Sequence, residues 1–202
     1  MKTIYFLLAA IGLTSCNTNV RKDIPKQNDT IMATTSDFTT TLLVDQTPKE
    51  VFYAINNVRG WWSEEIEGNT DKLHAEFNYH YQDVHRAKMK LIEIVPDKKV
   101  VWLVEDNYFN FTKDKHEWKG TKIIFEISEM NHQTQLRFTH LGLVPEYECY
   151  DICQDAWTNY IHTSLHDLIV TGKGQPNPKE GGFNQQLIDE YTDNGNLQSK
   201  TK

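Results

Sequence analysis

Residues 148–170, ECYDICQDAWTNYIHTSLHDLIV, carry the longest uninterrupted helical pattern in the chain. Cys149, Ile152, Cys153, Ala156, Trp157, Ile161, Leu165 and Leu168 recur at steps of three and four, which places them on one stripe of a helix. Pro145 cannot lie inside that helix, and Gly172 and Gly174 mark where it stops. An apolar stripe of this length must be covered. The segments available to cover it, from Asp37 onward, read mainly as strands. The expected architecture is α+β, with a curved antiparallel sheet wrapped around this closing helix and a pocket between the two.

The strands follow from alternation and β-branching. Residues 37–45 (DFTTTLLVD) read as a first strand. Thr47-Pro48-Lys49-Glu50 is a capping box with proline at the first helical position, and the helix it opens carries Val51, Phe52, Ile55 and Val58 on one side and stops at Gly60. Trp61-Trp62 follows; such a pair is ordinarily structural, and the sharper reading sets it at a pocket mouth. Residues 73–81 alternate, with Leu73, Ala75, Phe77, Tyr79 and Tyr81 on one face. Further strands are expected over 85–95, 100–105, 121–128 and 134–140, with a long loop over 106–119 and a short hairpin over 129–133.

The ends differ from the centre. Lys2 and an apolar run over 4–13 lead into Leu13-Thr14-Ser15-Cys16, a run too short to span a bilayer but suited to a signal peptide. The pattern resembles a bacterial lipoprotein signal, against the plainer readings of a secretion signal or an apolar first strand. That resemblance implies cleavage before Cys16, a lipid on Cys16 and a protein anchored in the cell envelope, outside the cytoplasm. The expected division is a signal over 1–15, a polar tether over 16–36, the folded domain over 37–171 and a mobile polar tail over 172–202. Within the tether, Ile31 and Met32 either hang free or dock; within the tail, residues 183–191 can form a short amphipathic helix. The net charge of −7 argues against a nucleic-acid partner, and the chain holds no P-loop, no GxGxxG and no GxSxG.

Taken together, the first-helix residues Thr47 to Phe52, Trp61-Trp62, Gln133-Thr134-Gln135-Leu136 with Thr139-His140, and Trp157, Tyr160 and Leu165 before Thr171-Gly172-Lys173-Gly174 resemble the START-like, or SRPBCC, superfamily. Within it the chain is most similar to the Aha-type branch, homologues of a heat-shock chaperone ATPase activator. The resemblance covers roughly residues 37–174. It implies the helix-grip fold and an apolar cavity between sheet and last helix, but no single activity, because relatives include carriers, receptors, enzymes and co-chaperones.

On that frame the expected ligand-binding residues are Trp61, Phe77, Tyr79, Tyr81, Trp102, Phe138, His140, Trp157 and Tyr160. Aromatic residues at strand spacing ordinarily fill a core; the polar tips of Tyr and Trp are what suggest a guest. His140 is in phase with Leu136 and Phe138, and is either a proton-carrying pocket group or a core histidine with its hydrogen bonds met. An enzyme reading would pair it with Glu76, Glu93 or Glu105. His162 and His166 share a helix face, and His80, Asp83 and His85 cluster at a strand connection, yet no metal-ligand motif completes either set. Cys149 and Cys153 read as small buried residues. The expectation is therefore a membrane-tethered domain that binds a small hydrophobic or amphipathic ligand without metal or cofactor. The rivals are a small-molecule enzyme and a protein-interaction module of co-chaperone type.

Overall fold

A computed structural model describes residues 36–195. Strand β1 (Phe38–Val44) turns Leu42 and Val44 inward and leads to helix α1 (Pro48–Asn56). The capping box forms as expected: the Thr47 hydroxyl accepts the Glu50 N–H, and the Glu50 carboxylate accepts the Thr47 N–H at 2.7 Å. A tight turn over Val58–Gly60 delivers Trp61 and Trp62 into the interior, where both are buried.

The remaining strands are β2 (Ile66–Gly68), β3 (Glu76–Tyr81), β4 (His85–Val95), β5 (Lys99–Phe109), β6 (Lys122–Met130) and β7 (Gln133–Leu141). They form one seven-stranded antiparallel sheet in the order β1-β7-β6-β5-β4-β3-β2. The β6–β7 hairpin turns on Asn131 and His132, both at positive φ, the geometry whose twist matches the flanking strands. Two bulges, at Ile92 and Glu105, interrupt the β4–β5 pairing and bend the sheet. The second also changes which residues face in: Trp102 and Val104 point inward before it, Asn107 and Phe109 after it. Strand β5 thereby continues four residues into the stretch expected as loop. At the start of β3, Leu73 and Ala75 lie outside the strand, and Leu73 is exposed.

The closing helix lies in the curve of the sheet as three joined pieces: α2 (Tyr150–Asn159), a π-helical turn (Tyr160–Leu165) and α3 (His166–Thr171). The wide turn buries Tyr160, Ile161, Ser164 and Leu165 together, more than a regular α-helical stripe would allow. Ser164 lies within it and donates to the Trp61 carbonyl at 2.6 Å. Gly172, at φ 78°, ends the helix where the sequence placed its stop.

The segment after Gly172, expected as a mobile tail, is docked as far as Tyr191, whose hydroxyl donates to Asp155. Gly174 passes so close to the backbone that a Cβ there would sit 2.2 Å from the Gly60 carbonyl oxygen. Asn177 donates its N–H to the Trp62 carbonyl, and its own carbonyl accepts from Glu64. Helix α4 (Gly182–Asp193) then lies against α2, with Leu187 buried and Phe183, Ile188 and Tyr191 half-buried. The expected short helix over 183–191 is present, but it is part of the folded body. Polar hydrogen bonds hold the segment, and those leave no periodic trace in a sequence.

Candidate functional site

The centre of the fold is filled by aromatic rings. Trp62 stacks on Tyr79 at 4.5 Å between ring centres, Trp102 meets Phe125 at 4.9 Å and Phe77 at 5.1 Å, and Phe138 meets Trp157 at 4.8 Å. Such rings interdigitate and leave no room among themselves. The free space lies to one side. A cavity of about 60 Å³ sits between the inner face of β3–β5, helix α2, Trp118 of the β5–β6 connection, and α4. Its wall is apolar and aromatic, and no charged residue lines it.

Of the nine expected binding residues, Tyr79, Tyr81, Trp157 and Tyr160 line this cavity. Trp61, Phe77, Trp102 and Phe138 do not: they are fully buried in the ring cluster beside it. His140 is also absent from the wall. Its Nδ1 accepts from the Trp157 indole N–H at 3.1 Å, so in the neutral ring the proton is on Nε2, which donates to Thr121 Oγ1 at 2.9 Å. Thr121 passes its own hydroxyl proton to the Trp118 carbonyl. Both ring nitrogens are thus satisfied, and burial lowers the His140 pKa from its ordinary value to about 3.

The carboxylates of the enzyme reading stand elsewhere. Glu76 and Glu105 pair with Lys88 and Lys90, and Glu93 pairs with Lys99. The geometry of a His–carboxylate pair at His140 is not there. His162 bonds to Thr40, His166 lies beside Asp167 and His80 beside Glu65; no group of three metal-ligating side chains occurs among the described residues. Cys149 and Cys153 are free and buried, and burial pushes the Cys149 thiol far above its ordinary range.

Two polar groups on residues of the wall stand apart. His85 Nε2 and Trp118 Nε1 are buried and have no hydrogen-bond partner among the described residues. His85 as a residue is half-buried, but its ring is boxed by Phe109 at 4.4 Å, Trp118 at 4.8 Å and Tyr79 at 4.9 Å between ring centres. Burial, with a smaller contribution from nearby His140, lowers its pKa to about 3. Neither nitrogen exposes surface to the cavity, and an orphaned polar atom of this kind costs about 1–3 kcal/mol. The three phenols of the wall are instead engaged with the α4 segment. Tyr160 donates to Asn184 Oδ1 at 2.5 Å, Asn184 Nδ2 donates to Tyr79 Oη at 2.9 Å, and Tyr81 donates to the Gly181 carbonyl at 3.0 Å.

The connection carrying Trp118 is fixed by charge. The buried Glu117 carboxylate accepts the N–H groups of Glu148 and Cys149 at 2.7 and 2.9 Å, placing an anion at the start of the closing helix. Trp118, His85, Phe109 and Asn184 are among the wall residues absent from the expected set. His85 had a signal, since it is in phase with Ala87, Met89 and Leu91 of the same strand. Phe109 lost its signal to the Glu105 bulge, and Asn184 never had one.

No family model matches the sequence, and no curated protein matches it. The fold is similar to that of solved structures. The Aha1 dimer from Colwellia psychrerythraea is 22% identical, with a TM-score of 0.56 over 69% of this chain and 99% of that one. A protein from Staphylococcus saprophyticus is 13% identical, with a TM-score of 0.53 over 72% of this chain and 100% of that one. DynU16, a protein of the dynemicin biosynthetic locus, is 13% identical, with a TM-score of 0.51 over 67% of this chain and 48% of that one. The fold is the START-like helix grip, a curved antiparallel sheet around a long C-terminal helix.

Proposed function

We propose that this chain is a binding domain for a small hydrophobic or amphipathic molecule, held between the sheet and the closing helix and covered by α4. The observation that carries the reading is the apolar, aromatic-walled cavity between the sheet, the closing helix and α4. At about 60 Å³ it has room for roughly four to six water molecules, at ~10–15 Å³ apiece, so a larger guest requires side chains of the wall, such as Leu187 and Ile188 of α4, to move. Cys16 lies outside the described residues, and we propose that a lipid on it tethers the domain to the membrane outside the cytoplasm.

The interaction-module rival finds little support on the outer face of the sheet. That face carries the Glu76, Glu105, Lys88 and Lys90 network together with Arg86, Lys122, Glu126 and Arg137, with Leu43 and Leu141 exposed beside them. Native mass spectrometry of the full chain, extracted from its own membrane in detergent, tests the reading. The expected result is a bound small organic molecule, lost when Trp157→Ala opens the wall. Protein of bare polypeptide mass in every preparation, with no added hydrophobic compound taken up, contradicts it.

A further inference from the structure

We infer that the free edge of β1 is a docking site for an extended segment of another protein, which adds a further strand to the sheet and carries a lysine or arginine at each end of a nine-residue stretch. The site is the rim of the sheet rather than its outer face. It shares no residue with the cavity and stands apart from the ligand reading.

The two rims of the sheet differ. At one end β2 is three residues long, carries Glu67 and finishes at Gly68, whose φ is 108° and whose carbonyl accepts from the Arg59 guanidinium at 2.9 Å. Short length, charge and an occupied carbonyl keep a rim from recruiting another strand. At the other end β1 has none of these. It runs seven residues in unbroken register with β7, and its sequence FTTTLLV holds no charge and no proline. The closing helix meets β1 from the inner side, through His162 on Thr40 at 2.6 Å. Among the described residues the β1 backbone bonds only to β7 and to Leu143.

Which backbone groups are open follows from the neighbouring hairpin. Met130 and Gln133 close its two-residue turn as a hydrogen-bonded pair, so Gln133 faces β6, and Thr134, Leu136, Phe138 and His140 face β1. Their partners Val44, Leu42, Thr40 and Phe38 use their backbone groups inside the sheet. Thr39, Thr41 and Leu43 therefore turn their N–H and carbonyl groups to the open side, and all three residues are exposed. Charge then sets the partner. Asp37 and Asp45 stand just beyond the two ends of β1. Each uses one carboxylate oxygen, Asp37 on the Gly142 N–H and Asp45 on the Gln133 amide; the other has no partner among the described residues. A second copy of this chain paired antiparallel about Thr41 would set Asp37 against Asp45 at both ends, like charges directly opposed. An uncharged strand with basic residues eight apart meets both carboxylates and all the open backbone groups.

The test titrates fluorescein-labelled nine-residue peptides of alternating threonine and valine, ended by lysine or by glutamate, into the full-length protein. Anisotropy reads the affinity, and amide hydrogen exchange by NMR reads the place. The lysine-ended peptide should bind at least tenfold tighter than the glutamate-ended one, weaken as salt rises, and slow exchange at Thr39, Thr41 and Leu43. Thr41→Pro removes an N–H that β7 does not use, so the fold should survive while binding of the lysine-ended peptide drops at least tenfold. Equal binding of the two peptides, binding of neither, or protection elsewhere in the chain overturns the inference. A wild-type dimer in analytical ultracentrifugation that Thr41→Pro dissociates overturns it too, because a second copy then holds the rim. The comparison of the two peptides needs no variant, so it stands even if Thr41→Pro folds poorly.

Discussion

Asn184→Ala isolates what holds α4 over the cavity. The Asn184 side chain joins two buried phenols, accepting from Tyr160 and donating to Tyr79. At about 0.5–1.5 kcal/mol net per hydrogen bond, losing both weakens the closed position by about 1–3 kcal/mol. At ~1.4 kcal/mol per tenfold, a mid-range loss of ~2 kcal/mol shifts the closed-to-open ratio of α4 about thirtyfold. Alanine is a better helix former than asparagine, so the substitution does not weaken α4 as a helix and acts only on its docking. Hydrogen exchange followed by mass spectrometry should show amides of residues 182–193 exchanging at least tenfold faster, while strands β4–β7 keep their protection. A hydrophobic dye should bind the variant more strongly than the wild type, because Leu187 and Ile188 leave the wall. Unchanged protection over α4, or a loss spread evenly through the sheet, would refute the idea that this amide is a latch.

Glu117→Gln should destabilise the fold by about 1–2 kcal/mol, read as a lower urea midpoint, because both N–H groups at the start of the closing helix lose a charged acceptor and one of them loses its acceptor altogether. Stability should fall between pH 6.5 and pH 5. His140 has a folded pKa near 3, lowered by burial, so the unfolded chain takes up its proton first as pH drops below ~6.5, and the stability present above that value is lost toward pH 3. By pH 5 that amounts to about 2 kcal/mol for His140 alone, with His85 adding in the same direction; the urea midpoint of His140→Gln should vary correspondingly less over this interval. Gly174→Ala should be among the most damaging substitutions of its size, seen as a drop in melting temperature, since its Cβ would meet the Gly60 carbonyl. Cys16→Ser should move the protein from the membrane fraction to the soluble fraction on cell fractionation; unchanged partitioning would count against the lipid tether.

Much of the architecture was legible because it rests on periodic burial. The closing helix, the capped first helix and six of the seven strands follow from β-branching and from apolar residues repeating at three, four or two. What escaped was set by breaks in the period. One inserted residue at Glu105 switches the inward face of β5 and brings Phe109 to the cavity. The π turn over Tyr160–Leu165 adds a buried position to what reads as a plain stripe. The site was half legible for a related reason. Phe77 and Tyr79 share a face and a strand, and only packing decides that Phe77 fills the centre while Tyr79 reaches the void. His140 and His85 show the limit from the other side. Both are inward histidines, yet His140 is satisfied by Trp157 and Thr121 while the Nε2 of His85 is left open, a difference made by residues distant in sequence.

The central claim is that a guest fits between the closing helix and the sheet, beneath α4. A high-resolution crystal structure of the protein extracted from its own membrane tests it most directly. The account predicts density for a small organic molecule between Trp118 and Trp157, with Leu187 of α4 displaced to admit it. A cavity without that density, or one collapsed by rotation of those side chains, would contradict it.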